Sequence, residues 1–278
     1  MKPKLINSIE EMSVIRKQLK GKIGFVPTMG FLHEGHLSLV KEAKKKTDVV
    51  IVSIFVNPTQ FSANEDLSTY PRNIERDIEL LTNLEVDYIF FPTNEQMYPD
   101  DFKTWVNVDK ITQVLCGRFR PTHFRGVTTI VAKLMNIIDP DLMFMGEKDF
   151  QQLVVLKQMI KDLNFRTDIV SCSIVREKDG LALSSRNKYL SSAGRKKALC
   201  LNKSLLLAQK LYKEGLTSSN EIISQMTNLI ENNECIIDYI EVFDPETLEH
   251  IPELVGSCRI ALAIIVENTR LIDNIKIV

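Results

Sequence analysis

The sequence predicts an α/β protein: a Rossmann-like parallel sheet flanked by helices over residues 1–175, then a smaller α+β lid domain over residues 176–278. Three observations lead there. Short apolar runs at 23–26, 48–55 and 86–91 alternate with amphipathic segments, the rhythm of βαβ units with right-handed crossovers. The run at 48–55 is almost wholly apolar, as a strand covered on both faces must be. Beyond the charged turn Arg176-Glu177-Lys178-Asp179-Gly180, read as a hinge, the order changes to two helices followed by three strands at hairpin-like spacing.

Taken in order, Ser8 and Glu11 match the S-x-x-E capping pattern, and Ile9, Met12, Ile15 and Leu19 follow at helical spacing. A first helix therefore runs from Ile9 to Leu19, and Gly21 ends it. The strand at 23–26 leads through a turn at 27–36 into an amphipathic helix at 37–45. After the strand at 48–55, residues 72–84 form a helix with Ile74, Ile78 and Leu81 on one face, and Pro92 closes the strand at 86–91. From 92 to 122 the periodicity fails, and only 104–108 resembles a strand; Arg118, Arg120 and Arg125 make the region locally basic. Long irregular segments of this kind are often binding loops or interfaces. Helices at 126–138 and 150–163 then alternate with strands at 141–145 and 168–175. The remainder reads as one long helix at 191–213, a second at 219–231, and strands at 236–243, 259–266 and 271–278.

With 278 residues, 44% hydrophobic and 26% charged, the chain can bury a large core and fill two domains. A net charge of -1 gives no field to draw it to nucleic acid or an anionic membrane, so neither is an expected partner. Five scattered cysteines, with no C-x-x-C pair, read as reduced packing thiols of a cytoplasmic protein. No apolar stretch approaches the roughly 20 residues of a membrane span.

The chemistry concentrates in four turns. The first follows the strand at 23–26 and carries His33 and His36, one helical turn apart, with Gly30 and Gly35. A helix start offers free N–H groups and a positive dipole end, which suit a phosphate. The second, after 48–55, holds Asn57 and Gln60, uncharged groups suited to hydroxyls and carboxylates. The third, Gly146-Glu147-Lys148-Asp149, places a lysine at another strand end, with Gln151 and Gln152 opening the next helix. The fourth, Leu183-Ser184-Ser185-Arg186-Asn187, offers hydroxyls and a guanidinium that could close over a triphosphate. Each turn alone also admits a plain account as a solvated turn, a linker or ordinary helix-start histidines. Their recurrence at strand ends favours a shared site. There is no G-x-G-x-x-G after the first strand and no G-x-x-x-x-G-K-[ST], which disfavours a dehydrogenase or a P-loop enzyme. Zinc is disfavoured because no third ligand lies near the histidines.

Five blocks, PTMGFLHEGH, SIFVNPTQF, HFRGVTTIVAKL, GEKDFQQL and DGLALSSRN, resemble the pantoate–β-alanine ligase (pantothenate synthetase) family of the HIGH-motif nucleotidylyltransferase superfamily, in order and spacing. The resemblance implies a two-step ligase: pantoate and ATP form pantoyl adenylate and pyrophosphate, and β-alanine then displaces AMP. It implies Mg2+ with the ATP, and a homodimer formed through the N-terminal domain. Carried over by position, Met29, Gly30, Phe31, Leu32, His33, Glu34, Gly35 and His36 form the first ATP segment, with His36 as proton donor and His33 assisting. Gly146, Glu147, Lys148 and Asp149 form the second, where Lys148 contacts phosphate. Val175, Leu183, Ser184, Ser185 and Arg186 complete the nucleotide site. Gln60 and Gln152 hold pantoate, with Asn57 beside them and Gln60 also near β-alanine, and Asp77 matches a magnesium-associated aspartate. Phe31, Leu183 and the pair Ser62-Ala63 depart from common family residues, which bears on affinity rather than on the reaction. A transferase that stops at nucleotide transfer, or a nucleotide-sensing protein without turnover, are the competing readings.

Overall fold

The computed structural model describes residues 2–62 and 65–277, so Ala63 of the Ser62-Ala63 pair lies outside the described residues. Ten α-helices and nine strands occur among the described residues. In chain order they begin β1 (Lys4–Ile6), α1 (Ile9–Gln18), β2 (Ile23–Thr28), α2 (Glu34–Lys46), β3 (Val49–Ile54), α3 (Ile74–Asn83) and β4 (Tyr88–Phe90). Next come α4 (Asn94–Met97), α5 (Cys116–Phe119), α6 (His123–Ile138), β5 (Leu142–Gly146), α7 (Phe150–Asp162) and β6 (Asp168–Cys172). The chain ends with α8 (Ser192–Ala198), α9 (Cys200–Lys213), α10 (Ser219–Glu231), β7 (Ile236–Phe243), β8 (Arg259–Val266) and β9 (Thr269–Lys276).

The first six strands form one parallel sheet in the order β1-β4-β3-β2-β5-β6. Alternation along each strand builds two layers. Phe25, Ile51 and Met143 point into a cluster with α1, α6 and α7, whereas Val26, Val52 and Phe144 meet α2 and the α3 residue Leu81 on the other face. Both faces are covered, which explains the unbroken apolar runs. From β2 the chain steps through β3 to β4 in one direction, and later places β5 and β6 on the opposite side of β2. That reversal opens a crevice at the carboxyl ends of β2 and β5, where open α/β sheets hold ligands. The last three strands pair antiparallel as β7-β8-β9, and α9 and α10 cover them through Leu201, Leu205, Ile222 and Met226.

Three sequence expectations change. Residues 104–108 are not a strand: the Val106 N–H donates to Thr129 Oγ1 (3.0 Å) and its carbonyl accepts from Thr128 Oγ1 (2.7 Å), so helix side chains replace a strand partner. The helix expected at 191–213 is interrupted at Leu199, leaving α8 and α9. Three residues of β1, too few for a periodic pattern, pair with β4.

The packing of α6 against the turn at Pro58–Gln60 depends on Gly126. A Cβ there would lie 2.5 Å from the Thr59 carbonyl oxygen and 2.7 Å from the Gln60 nitrogen, both backbone atoms. Gly126→Ala is therefore expected to lower stability by about 1–3 kcal/mol, the usual cost of overpacking, as read from urea unfolding midpoints.

Candidate active site

At the end of β2, Gly30 (φ 79°) and Phe31 (φ 50°) both adopt left-handed backbone. This aims the N–H groups of Phe31 and Leu32 at one carboxylate: they donate to Asp77 Oδ2 (2.7 Å) and Oδ1 (2.8 Å). Asp77, in the first turn of α3, is 1% exposed and does not line the crevice. Its carboxylate is bonded to backbone and set back from the cavity lining. A buried carboxylate engaged by two amides is a structural anchor, and it takes amides that the sequence reading offered to phosphate.

The anchored turn delivers His33 as the N-cap of α2. Its Nδ1 accepts from the Gly35 N–H (3.1 Å), and its own N–H donates to His36 Nδ1 (3.3 Å). The ring centroids lie 4.0 Å apart. Gly35 permits this, since a Cβ there would fall 2.8 Å from the His33 ring. With each Nδ1 accepting from the backbone, a neutral ring must carry its proton on Nε2. Both rings are neutral: burial and the Lys148 charge lower His33 to about 4, and burial, His33 and Lys148 lower His36 to about 3. The pair therefore presents two Nε2–H donors.

Opposite them, the turn after β3 fixes the polarity of Gln60. Asn57, 2% exposed, accepts at Oδ1 from the Thr59 N–H (3.4 Å) and from the hydroxyls of Thr59 and Tyr98 (both 2.9 Å). Its Nδ2 must then donate to the Gly126 carbonyl and to Gln60 Oε1, each at 3.1 Å. Gln60 consequently turns Nε2 away, toward Met29 Sδ (3.1 Å), and serves as a donor. Asn57 has no free polar valence for a substrate, so its expected contact becomes a positioning role. Gln151 is likewise structural, bonded to Cys116 N–H and to the carbonyls of Ile111 and Val114, while Gln152 lines the cavity.

The cavity measures about 290 Å³ and is lined by Met29, His33, His36, Gln60, Lys148 and Gln152, among others. Gly35, Gly146, Asp149, Val175 and residues 183–186 also border it. Gly30, Phe31, Leu32, Glu34 and Glu147 do not: the first three build the turn, Glu34 pairs with Lys41 (3.1 Å), and Glu147 pairs with Arg259 (3.0 Å). Arg186 makes a forked pair with Asp66 (3.0 and 2.7 Å), and Ser185 Oγ lies 3.2 Å from the Tyr70 hydroxyl. Ser184 caps its own turn, accepting from the Arg186 N–H, and the Leu183 N–H donates to the Val175 carbonyl (3.0 Å).

A sequence profile described as Pantoate-beta-alanine ligase matches residues 4–276. The chain belongs to the pantoate-beta-alanine ligase family. It is 52% identical to the pantothenate synthetase of Sulfurihydrogenibium sp. (strain YO3AOP1) over 95% of both chains, and 53% identical to that of Caldicellulosiruptor saccharolyticus over 98% of this chain and 99% of that one. The crystal structure of pantothenate synthetase from Thermus thermophilus superposes with a TM-score of 0.94 at 41% identity, covering 99% of each chain. That of the Francisella tularensis pantoate-beta-alanine ligase, complexed with beta-gamma ATP and beta-alanine, gives 0.83 at 39% identity, covering 99% of this chain and 97% of that one.

Other cavity residues of this family member were not singled out in the sequence reading, which named Arg120 only within a locally basic loop. His123, inside the HFRG block, sits with Nδ1 2.9 Å from the Gln60 carbonyl, and Arg120 donates to the same oxygen (3.1 Å) and to Glu65 (2.7 Å). Tyr70 and Asp273 carried no local signal at all. Among the described residues, no group of three histidine, cysteine or acidic side chains could hold a metal ion, and no helix is long and apolar enough to cross a membrane.

The two imidazoles give a pH prediction with a definite sign. The unfolded chain protonates them near 6.5, whereas the folded chain refuses the protons until about 4 and 3. The unfolded state binds more protons throughout that window, so this contribution to stability is complete above pH 6.5 and is lost as pH falls. NMR titration of the ring C–H signals is expected to show no protonation of either histidine between pH 8 and 5.5.

Proposed function

We propose that this chain is an ATP-dependent ligase that condenses pantoate with β-alanine through pantoyl adenylate, releasing pyrophosphate and then AMP. One observation carries the reading: a single cavity sets two neutral imidazole donors and Lys148 against the uncharged amides of Gln60 and Gln152. The first group suits a triphosphate, the second an acid bearing hydroxyls.

In the first step a carboxylate oxygen of pantoate attacks the α-phosphorus, and the bond to the pyrophosphate oxygen breaks. Charge moves onto the leaving group, where the Nε2–H groups of His36 and His33 and the Lys148 ammonium receive it. The neutral rings offer their N–H groups to the phosphates, with His36 as the proton donor and His33 assisting in this reading. Gln60 Nε2 and Gln152 hold pantoate in line, which suits chemistry that depends on positioning. In the second step the β-alanine amine attacks the acyl carbonyl and AMP departs. Met29, Gly35, Gly146, Asp149, Val175 and the 183–186 turn enclose the nucleotide in this reading, and Arg186 exchanges Asp66 for phosphate.

Magnesium fits this donor set as an ion held chiefly by the phosphates, with Asp149 as the exposed cavity carboxylate, and it would neutralise phosphate charge. The reading also includes a homodimer, and a division at 175/176 with residues 176–278 as a lid. The two largest apolar clusters fall on either side of that boundary, which supports the division, while a small cluster of Leu115, Phe243, Leu248 and Ala261 spans it.

Pyrophosphate release from ATP should require pantoate, and AMP with an amide product should appear only when β-alanine is supplied. Absence of pantoate-dependent release from the folded protein would remove the adenylation reading. His36→Ala is expected to slow adenylation about 10²–10³-fold, the usual loss for one preorganised donor. Gln60→Ala should weaken pantoate binding in calorimetry while ATP binding is largely kept; the reverse pattern would reassign Gln60.

A further inference from the structure

The turn that carries Lys148 is held from outside its own sheet. Asn274, on β9 and 2% exposed, donates from Nδ2 to the carbonyls of both Glu147 (3.0 Å) and Lys148 (2.9 Å). Its amide cannot be reversed, because Oδ1 accepts from Arg259 Nη1, a group that can only donate. Arg259, on β8 and 6% exposed, donates to Glu147 Oε2 (3.0 Å) and lies 3.9 Å over the Phe150 ring. The turn at Glu147–Asp149 is thereby gripped through its backbone, its carboxylate and the residue that follows it. The adjacent residue on β9, Asp273, makes a forked pair with Arg176 (2.6 and 2.9 Å), directly after Val175. Two neighbouring positions on one C-terminal strand thus fasten two of the segments that border the cavity.

We propose that Asn274 is a positioning residue for adenylation: its double donation to the Glu147 and Lys148 carbonyls sets where the Lys148 ammonium stands. This rests on the reading of Lys148 as the phosphate-neutralising group. Glu147–Asp149 is a single short 3-10 turn, and Asn274 holds both of these carbonyls from one planar group. Motion of the C-terminal sheet is therefore transmitted to Lys148 without passing through the 176–180 connection.

Asn274→Asp is the discriminating variant. It keeps the shape and the acceptor for Arg259 but replaces both donations with repulsion between oxygens. The expected result is a fall of about 10–100-fold in kcat for pyrophosphate release, the scale of a misplacement near 1 Å, with KM for pantoate changed less than about threefold. In a Lys148→Ala background the same substitution should change residual release less than about twofold, because its effect passes through Lys148. A full loss carried over into that background, or full activity in Asn274→Asp alone, overturns the proposal. Asn274→Ala, which removes both donations without placing a charge beside the carbonyls, is run in the same cycle with the same expected loss and the same overturning outcomes, so the test stands if the aspartate variant does not fold. Wild-type protein without pantoate-dependent release would instead defeat the ligase reading, which separates the two failures.

Discussion

Two hydrogen bonds, from the amides of Phe31 and Leu32 to the buried carboxylate of Asp77, fix the geometry on which the site depends. Left-handed backbone at a non-glycine residue such as Phe31 is unfavourable, and a carboxylate accepting both amides offsets that cost. The turn then has one direction in which to leave the sheet. His33 becomes a cap, its Nδ1 and that of His36 are spent on backbone N–H groups, and both Nε2–H groups face outward. A helix start read only as a place for phosphate is more specific than that. The amides of the turn hold the protein together, and the histidines keep the unspent N–H groups.

The same logic governs the opposite wall. Backbone groups whose polarity cannot change, the Thr59 N–H and the Gly126 carbonyl, orient Asn57, and Asn57 orients Gln60. The protein fixes donor and acceptor identities by anchoring each side-chain amide to main chain. Gln151 does so for the loop at 111–116, and Asn274 for the lysine turn. Such buried networks, anchored to main chain at each amide, are stiff, which suits catalysis by placement.

Much of this was legible in the sequence. The strands other than the short β1 stood out, because β2, β3 and β5 are covered on both faces and β7–β9 are each eight residues long. Three of the four motif turns were visible because they follow those strands. What was not legible is direction. Asn57 and Asp77 look like ligands in a string of letters, yet their polar atoms turn inward to bind backbone. Arg120, His123, Tyr70 and Asn274 reach the site across 55 to 126 residues of chain, judged by the separations to their partners, and no local pattern records such contacts. The break at Leu199 has no proline or glycine to announce it.

The forked pairs of Arg186 with Asp66 and of Arg120 with Glu65 have one further consequence. Both carboxylates come from the segment after Phe61, and both arginines border the cavity. The site thus carries its own counter-anions. An incoming anion at Arg186 does not fall into an open well of positive charge; it trades places with a carboxylate already seated there. Affinity at such a fork measures a difference between two anions, and in the proposed ligase selectivity for phosphate would follow from that comparison rather than from attraction alone.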